Sequence, residues 1–124
     1  MIVKTSELVG IQLDWAVAKC EGKDNDCEVH AGNIWYGRIT SGFIQWRPST
    51  DWYQGGSIID REKISFMHEY NYCNYPKEIW WAMNKFRMVQ YGQTPLIAAM
   101  RCYVDSELGN KIEIPEEYYE SLGL

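Results

Sequence analysis

The segment "QTPLIAAMRCYVDSELGNK", residues 93–111, is the feature that most limits how this chain can fold. Thr94 can cap a helix, Pro95 suits the first helical position, and Gly109 can end the helix. The apolar residues between them recur at helical spacing and form one stripe: Leu96, Met100, Tyr103, Val104 and Leu108. The sequence therefore predicts a helix over about residues 95–108 whose apolar stripe packs on the rest of the protein.

A second helix is predicted near the N-terminus, over about residues 7–21. Thr5 or Ser6 can cap this helix, and Gly22 can end it. Its apolar residues lie on two faces, which are separated by narrow polar seams. A helix with two apolar faces needs cover on both sides, and two-fold dimers are the commonest symmetric assemblies. The pattern therefore predicts a homo-oligomer, most simply a homodimer.

Short strands are predicted between the two helices. A strand is expected near residues 27–30, and residues 34–46, interrupted by two glycines, fit one bent strand or a hairpin. One or two further strands are expected in "SIIDREKISFMHEYN", residues 57–71. Residues 77–88 fit a strand or a helix by their spacing, and the adjacent bulky residues Trp80 and Trp81 favour a strand.

The order of these elements indicates an α+β fold, because no strand–helix–strand unit is repeated. A chain of 124 residues, 46% apolar and 23% charged, fits one domain, residues 1–124. We expect two main helices packed on a small antiparallel or mixed sheet. A short strand over residues 111–114 and a short helix after Pro115 complete the predicted architecture.

Charge and hydropathy argue against several classes of function. The net charge is −5 and the basic residues are scattered, so we expect no binding to duplex nucleic acid. The sequence has no apolar run of about 18 residues and no export signal, which predicts a soluble, unexported protein without membrane contact. The four cysteines are interpreted as free thiols, and with only two histidines present we expect no metal and no cofactor.

No catalytic residue is predicted. Neither histidine stands in a local motif with a serine or threonine that it could activate. Asp60 and Glu62 flank Arg61 at strand spacing, which would point both carboxylates to one side as a divalent-metal pair. Together with Asp51 they leave a metal-dependent hydrolase as an alternative, provided that the three carboxylates lie within a few ångströms of one another.

The segment "PSTDWYQGG", residues 48–56, has more binding features than a surface turn requires, and we interpret it as a ligand-binding loop. Trp52 can stack on a ring, and the glycine pair lets the backbone approach a ligand closely. The helix start at Thr94 can meet an anion, and Arg61, or else Arg38 or Arg47, can pair with a phosphate. The predicted ligand-binding residues are Ser49, Thr50, Asp51, Trp52, Gly55, Gly56, Arg61 and Thr94.

Three blocks of the sequence resemble the NinX-like family of small proteins from lambdoid and other tailed phages and their prophages. The blocks are "VKTSELVGIQLDWAVAKCEG", "PSTDWYQGGSIIDREKIS" and "GQTPLIAAMRCYVDSELG", which together cover nearly half of the chain in the family's order. The resemblance implies a phage accessory protein that acts in the cytoplasm of an infected bacterium. It assigns no catalytic residue, and it does not extend to residues 66–88.

Two functions fit these features. If the three blocks meet in space they can line one concave site, which predicts a non-enzymatic protein that binds a small nucleotide-like anion. Small phage proteins that sequester nucleotide-derived immune signals offer an analogy for such a role. The alternative is an interaction module that docks on a host protein through exposed aromatic residues. Aromatic residues around a pocket favour the first function, and a flat aromatic patch favours the second.

Overall fold

Helices packed on small antiparallel sheets form the fold in a computed structural model, which confirms the predicted α+β class. The structure describes residues 1–38, 40, 42–69 and 79–120, with the backbone alone for Arg38 and Glu120. The helices are α1 (Gly10–Cys20), α2 (Trp52–Glu62), α3 (Pro95–Leu108) and α4 (Glu117–Glu120). The strands are β1 (Ile2–Lys4), β2 (Cys27–His30), β3 (Asn33–Arg38), β4 (Gly42–Gln45), β5 (Ser65–Glu69), β6 (Ile79–Met83), β7 (Val89–Gly92) and β8 (Lys111–Glu113).

The strands of the described residues form three small sheets rather than one. Strand β1 pairs with β8, β3 lies between β2 and β4, and β6 lies between β5 and β7. The strand predicted at 27–30, the hairpin interpretation of 34–46 and the strand predicted within 77–88 are confirmed. The predicted C-terminal helix begins as α4, and its last predicted residues, 121–122, lie outside the described residues, as does Cys73.

Helix α3 is the centre of the fold, and its predicted ends are confirmed. The Thr94 hydroxyl oxygen accepts a hydrogen bond from the Ile97 N–H at 3.1 Å, and Gly109 ends the helix with a φ of +89°. The β5–β6–β7 sheet packs on α3, and α1 and α2 also contact it. Met100 and Val104 are fully buried, so the predicted apolar stripe does form the core.

Helix α1 is covered on both apolar faces within one chain. It contacts α3, α4 and β3, and Leu13 and Val17 are fully buried. Trp15 is 6% exposed and its ring lies 5.5 Å from the ring of Tyr118 in α4. The two-faced pattern that predicts a dimer therefore has an explanation inside the monomer.

The loop prediction for residues 52–56 is wrong, because these residues begin helix α2. Asp51 caps the helix by accepting a hydrogen bond from the Tyr53 N–H at 2.9 Å, and the helix continues to Glu62. A strand over residues 58–62 is therefore also wrong, although β5 confirms the strand that follows. Each glycine inside a helix costs about 1 kcal/mol relative to alanine, so the local sequence disfavours this helix. Burial of Ile58, which is 2% exposed, shows that tertiary packing outweighs that cost.

The central position of α3 predicts that truncating Met100 is costly. Met100→Ala should lower the free energy of unfolding by about 2 to 5 kcal/mol, because it removes buried apolar contacts and leaves a cavity. Glu107→Ala, on an exposed position of the same helix, should change stability by less than about 0.5 kcal/mol. Urea denaturation of both variants tests this assignment, and equal midpoints for Met100→Ala and the parent would contradict it.

Candidate functional site

A cavity of about 200 Å³ lies between the N-termini of α2 and α3. We call it the α2–α3 cleft. Four of the eight predicted ligand-binding residues meet there, although they come from two distant segments of the sequence. The lining residues are Ser49, Thr50, Trp52, Thr94, Pro95, Leu96 and Ile97.

A tight turn before α2 forms one wall of the cleft. The N–H groups of Thr50 and Asp51 both donate to the Arg47 carbonyl oxygen, at 3.1 and 2.9 Å. The Arg47 N–H in turn donates to Gln54 Oε1 at 2.7 Å, which ties the turn to the first turn of α2. These bonds hold the backbone of the turn in one conformation next to the helix start.

The N-termini of α2 and α3 both border the cleft, and at α2 the Asp51 carboxylate offsets the partial positive charge of the helix end. The first N–H groups of any helix lack partners inside it, and the helix macrodipole places partial positive charge there. The side chains of Asp51 and Thr94 satisfy the N–H groups of Tyr53 and Ile97. Of the other first-turn residues that have an N–H group, Trp52 and Leu96 line the cleft.

Ser49 supplies an unusual polar group at the wall of the cleft. The residue is 2% exposed, and its N–H donates to Asp14 Oδ1 in α1 at 2.8 Å. Its buried hydroxyl group also interacts with the Asp14 carboxyl group, although no described residue gives it a hydrogen bond of good geometry. Ser49 therefore links the wall of the cleft to Asp14 in α1.

Asp14 is the buried carboxyl group behind Ser49. Burial raises the pKa of Asp14 from 3.8 to about 7, although the interactions with Ser49 oppose that rise. The Asp14 backbone carbonyl oxygen accepts a hydrogen bond from Trp46 Nε1 at 2.9 Å. The carboxyl group therefore lies in a position where it can be neutral near physiological pH.

A second cavity, of about 280 Å³, adjoins the same turn and shares Ser49 and Thr50 with the cleft. The N-terminus of α1 contributes Gly10 to this cavity, and the turn contributes Arg47. Arg47 makes no ion pair within the described part of the chain. Arg47 therefore borders the adjoining cavity and belongs to the turn that forms a wall of the cleft.

Trp52 and Tyr53 begin α2 at the rim of the cleft. Trp52 is 52% exposed, and its ring lies 5.9 Å from the ring of Phe66 at an angle of 52°. Tyr53 is 86% exposed and does not line the cleft. The exposed part of the Trp52 ring is therefore available to a ligand in the cleft, whereas the Tyr53 ring lies on the protein surface outside the cleft.

The other predicted residues in the segment have structural roles. Asp51 caps α2. A Cβ atom on Gly55 would overlap the Pro48 carbonyl oxygen and lie 2.7 Å from Leu96 Cδ2, so glycine allows α2 to pack closely on the turn and on α3. A Cβ atom on Gly56 would come no nearer than 3.8 Å to Trp52.

Arg61 does not reach the cleft. It lies nine residues after Trp52, which places it about 13 Å further along α2. Its guanidinium group donates two hydrogen bonds to Glu21, at 2.9 and 2.7 Å, one to Glu62 at 2.9 Å and one to the Tyr103 hydroxyl at 3.0 Å. Burial alone raises the pKa of Glu21, but the hydrogen bonds from Arg61 and Tyr103 bring it below its ordinary value. Arg61 thus joins α2 to α1 and α3.

The carboxylates that a metal-dependent hydrolase requires are not close together. Asp51 and Glu62 lie at opposite ends of α2, about 16 Å apart by helix geometry. Asp60 and Glu62 do not share a side, because residues two apart in a helix point in different directions. Among the described residues, no group of three histidine, cysteine or acidic side chains could hold a metal ion.

A larger groove, of about 450 Å³, lies on the β2–β3–β4 sheet. Its walls include His30, which forms an exposed ion pair with Glu28 at 3.1 Å, and the rings of Trp35 and Phe43. No predicted ligand-binding residue and no helix start lies in this groove. The α2–α3 cleft is therefore the better candidate site.

Sequence reasoning missed Asp14 at this site and left the choice of cation open. Asp14 was visible only as a polar position between the apolar residues Leu13 and Trp15, and that position gives no sign of contact with Ser49. Arg47 was one of three candidate cations, and its direct attachment to the turn favours it over Arg61. The side chain of Arg38 lies outside the described part of the structure.

The comparisons with known proteins identify the family. A family model described as "Bacteriophage P22, NinX" matches residues 4–107, and the chain belongs to this family. No curated protein matches the sequence. Among the described residues, no helix is long and apolar enough to cross a membrane.

Gly55 and Gly56 of α2 differ in the space available for a Cβ atom, so their alanine substitutions form a matched pair of variants. Gly56→Ala should raise the free energy of unfolding by up to about 1 kcal/mol, because alanine favours the helix and has room. Gly55→Ala should lower it by about 1 to 3 kcal/mol, because the new Cβ atom overlaps Pro48 and Leu96. Chemical denaturation measures both changes, and an equal gain in stability for the two variants would show that α2 does not pack closely at Gly55.

The raised pKa of Asp14 predicts how stability depends on pH. Between about pH 4 and pH 7 the native state binds a proton that the unfolded chain has released, so stability falls as pH rises through this window. The loss from this one group is on the order of 4 kcal/mol at full ionisation, from about 1.4 kcal/mol for each pKa unit.

Asp14→Asn isolates this contribution, because asparagine keeps an oxygen for the Ser49 N–H but cannot ionise. The variant should match the parent near about pH 4 and exceed its stability near about pH 8, as measured by urea denaturation. A difference between the two proteins that stays constant with pH would mean that Asp14 has an ordinary pKa in the native state.

Proposed function

We propose that this NinX-family protein binds a small, phosphate-bearing, nucleotide-like molecule in the α2–α3 cleft without chemical turnover. The observation that carries the proposal is the meeting of Ser49, Thr50, Trp52 and Thr94 around one cavity at two helix N-termini. Helix N-termini favour anions because free N–H groups and the macrodipole act together there. The proposal places the phosphate in the cleft.

The hydroxyl group of Ser49 supports a polar occupant. Within the chain it interacts with the Asp14 carboxyl group but makes no hydrogen bond of good geometry with a described residue. A serine hydroxyl can donate one hydrogen bond and accept others, so a phosphate oxygen near it would accept a hydrogen bond. Such a ligand would compete with Asp14 for the Ser49 hydroxyl.

The size of the cleft and the position of Trp52 support a ligand that is only partly enclosed by the cleft and extends out of it past Trp52. A cavity of about 200 Å³ is smaller than a typical site for a drug-sized molecule, which is roughly 300 to 1,000 Å³. It accommodates a phosphate group, while a base or other ring lies on the exposed part of Trp52 at the rim. Stacking of a base on an aromatic side chain contributes about 1 to 3 kcal/mol.

Arg47 is the cation in this proposal. The net charge of −5 repels a phosphate, so a local positive charge has to offset it. Arg61 is held by Glu21 and Glu62, whereas Arg47 is exposed and adjoins Ser49 and Thr50. Binding should therefore depend on Arg47 in a salt-sensitive way, and Arg61→Ala should affect stability rather than affinity.

Membership of a phage family suggests a biological setting for the proposed nucleotide binding. We place the protein in the cytoplasm of the infected bacterium, where holding a nucleotide-derived immune signal away from host effectors requires tight binding alone. A contact with a host protein is the second candidate function. The exposed ring of Tyr53, beside that of Trp52, is the observation that favours it, because aromatic residues are enriched in interface hot spots.

Calorimetric titration with adenosine monophosphate, ADP-ribose, cyclic dinucleotides and inorganic phosphate tests the proposal. Trp52→Ala should weaken binding of the nucleotide ligands by about 1 to 3 kcal/mol. Ser49→Ala should weaken binding of all the phosphate-bearing ligands, because it removes a hydroxyl group that can donate to a phosphate oxygen.

Tyr53→Ala is the matched control, since it removes a neighbouring exposed ring outside the cleft. It should leave affinity within about twofold of the parent. The absence of heat with every ligand would reject the proposal, and equal losses for Trp52→Ala and Tyr53→Ala would place binding outside the cleft.

A further inference from the structure

The β5–β6–β7 sheet has one face packed on α3 and an opposite face that is apolar. Side chains alternate between the faces of a sheet, so the register assigns each residue to one side. Ala82 is fully buried, and Gln90 donates from Nε2 to Asp105 Oδ2 of α3 at 3.0 Å. We call the opposite side the outer sheet face; it carries Met67, Ile79, Trp81, Met83, Val89 and Tyr91.

The residues of this face are cross-strand neighbours. Met67 pairs with Trp81, and Trp81 pairs with Tyr91, so one apolar row crosses all three strands. Met67 is 57% exposed, Tyr91 54% and Val89 42%. A contiguous apolar surface rimmed by polar residues is typical of an interaction site.

Charges of opposite sign lie at the two ends of the outer sheet face. Glu69 lies at the last position of β5 and, by alternation, on this face. Lys63, just before β5, and Arg87, in the turn between β6 and β7, lie at the other end of the strands, whereas Lys85 of the same turn is paired with Glu62 at 3.9 Å. Glu69 and Lys63 make no ion pair within the part of the chain that the structure describes.

We propose that the outer sheet face binds the same face of a second copy of this chain. The two-fold axis lies in the interface and runs perpendicular to the strands. This axis reverses the strand direction and stacks each strand on its own copy, so Glu69, at the end of β5, lies near the partner's Lys63, just before β5, and the reverse contact forms at the other end. The apolar rows of the two sheets then stack face to face at about 10 Å, as in a β-sandwich.

The charge pattern favours a second copy over an unrelated partner. A two-fold interface uses the same surface twice, so it requires that surface to complement itself. An acidic end and a basic end on either side of an apolar centre meet that requirement. The homodimer predicted from α1 is thereby assigned a different interface, on strands that the sequence analysis predicted but did not connect with association.

The area of the face sets the expected strength of the association. Three strands of about five residues cover roughly 14 by 17 Å. This contact is smaller than the roughly 800 Å² per partner of a standard stable interface. We therefore expect a dimer that dissociates on dilution, and whose association weakens as salt screens the two charge pairs.

Sedimentation velocity from about 5 to about 500 µM, without ligand, tests the proposal. The parent should shift from monomer to dimer across this range. Met67→Lys and Tyr91→Lys should each weaken association by at least about tenfold, because each puts a charge into the apolar centre. Tyr53→Lys is the control; it changes an exposed ring on α2, outside the face, and should leave association unchanged.

Charge reversal tests the two-fold arrangement itself. Glu69→Lys and Lys63→Glu should each weaken association, and the double variant should restore it, because the opposite charges meet again with their signs exchanged. A parent that stays monomeric up to about 500 µM would overturn the proposal. A double variant as weak as the single variants would overturn the proposed axis. Neither result bears on the ligand, since Ser49 and Trp52 lie on other elements.

Discussion

Burial of helix α3 is the constraint on which the other elements depend. Its apolar stripe, with Met100 and Val104 fully buried, is covered by a sheet and by two other helices. The cap at Thr94 and the proline that follows determine where the helix begins. Helix α2 packs on α3. The position of the first turn of α3 therefore determines where the N-terminus of α2 can lie beside it.

The α2–α3 cleft follows from one close contact. Gly55 lets α2 approach Leu96, the second residue of α3, without a Cβ atom between them. The turn that carries Ser49 is held from behind by Asp14 and from the side by Gln54. Two helix N-termini are thereby brought together at one cavity, and this is the arrangement on which the proposed anion binding depends.

The local elements could be predicted from the sequence, and the contacts between distant elements could not. Thr94, Pro95 and Gly109 indicate the ends of α3 because capping depends on neighbouring residues alone. Helix α2 was missed because its glycine pair opposes a helix locally, although Asp51 followed by Gln54 resembles a capping box and was an available signal.

The candidate site was predicted in part for the same reason. Ser49, Thr50, Trp52 and Thr94 were identified by their chemistry, and the structure brings them together. Arg61 was assigned to the site because the segment was interpreted as a loop, whereas a helix carries it away to Glu21, forty residues earlier in the chain. The burial of Asp14 depends on the packed fold and leaves no pattern in the sequence.

The most direct test of the α2–α3 cleft is a two-dimensional amide NMR titration of the isotopically labelled protein with adenosine monophosphate. The cleft predicts the largest shift changes at the N–H groups of Thr50, Trp52, Leu96 and Ile97, since these groups line it or border it. Shift changes confined to the groove on the β2–β3–β4 sheet, or no change at any amide group of the cleft, would contradict the account.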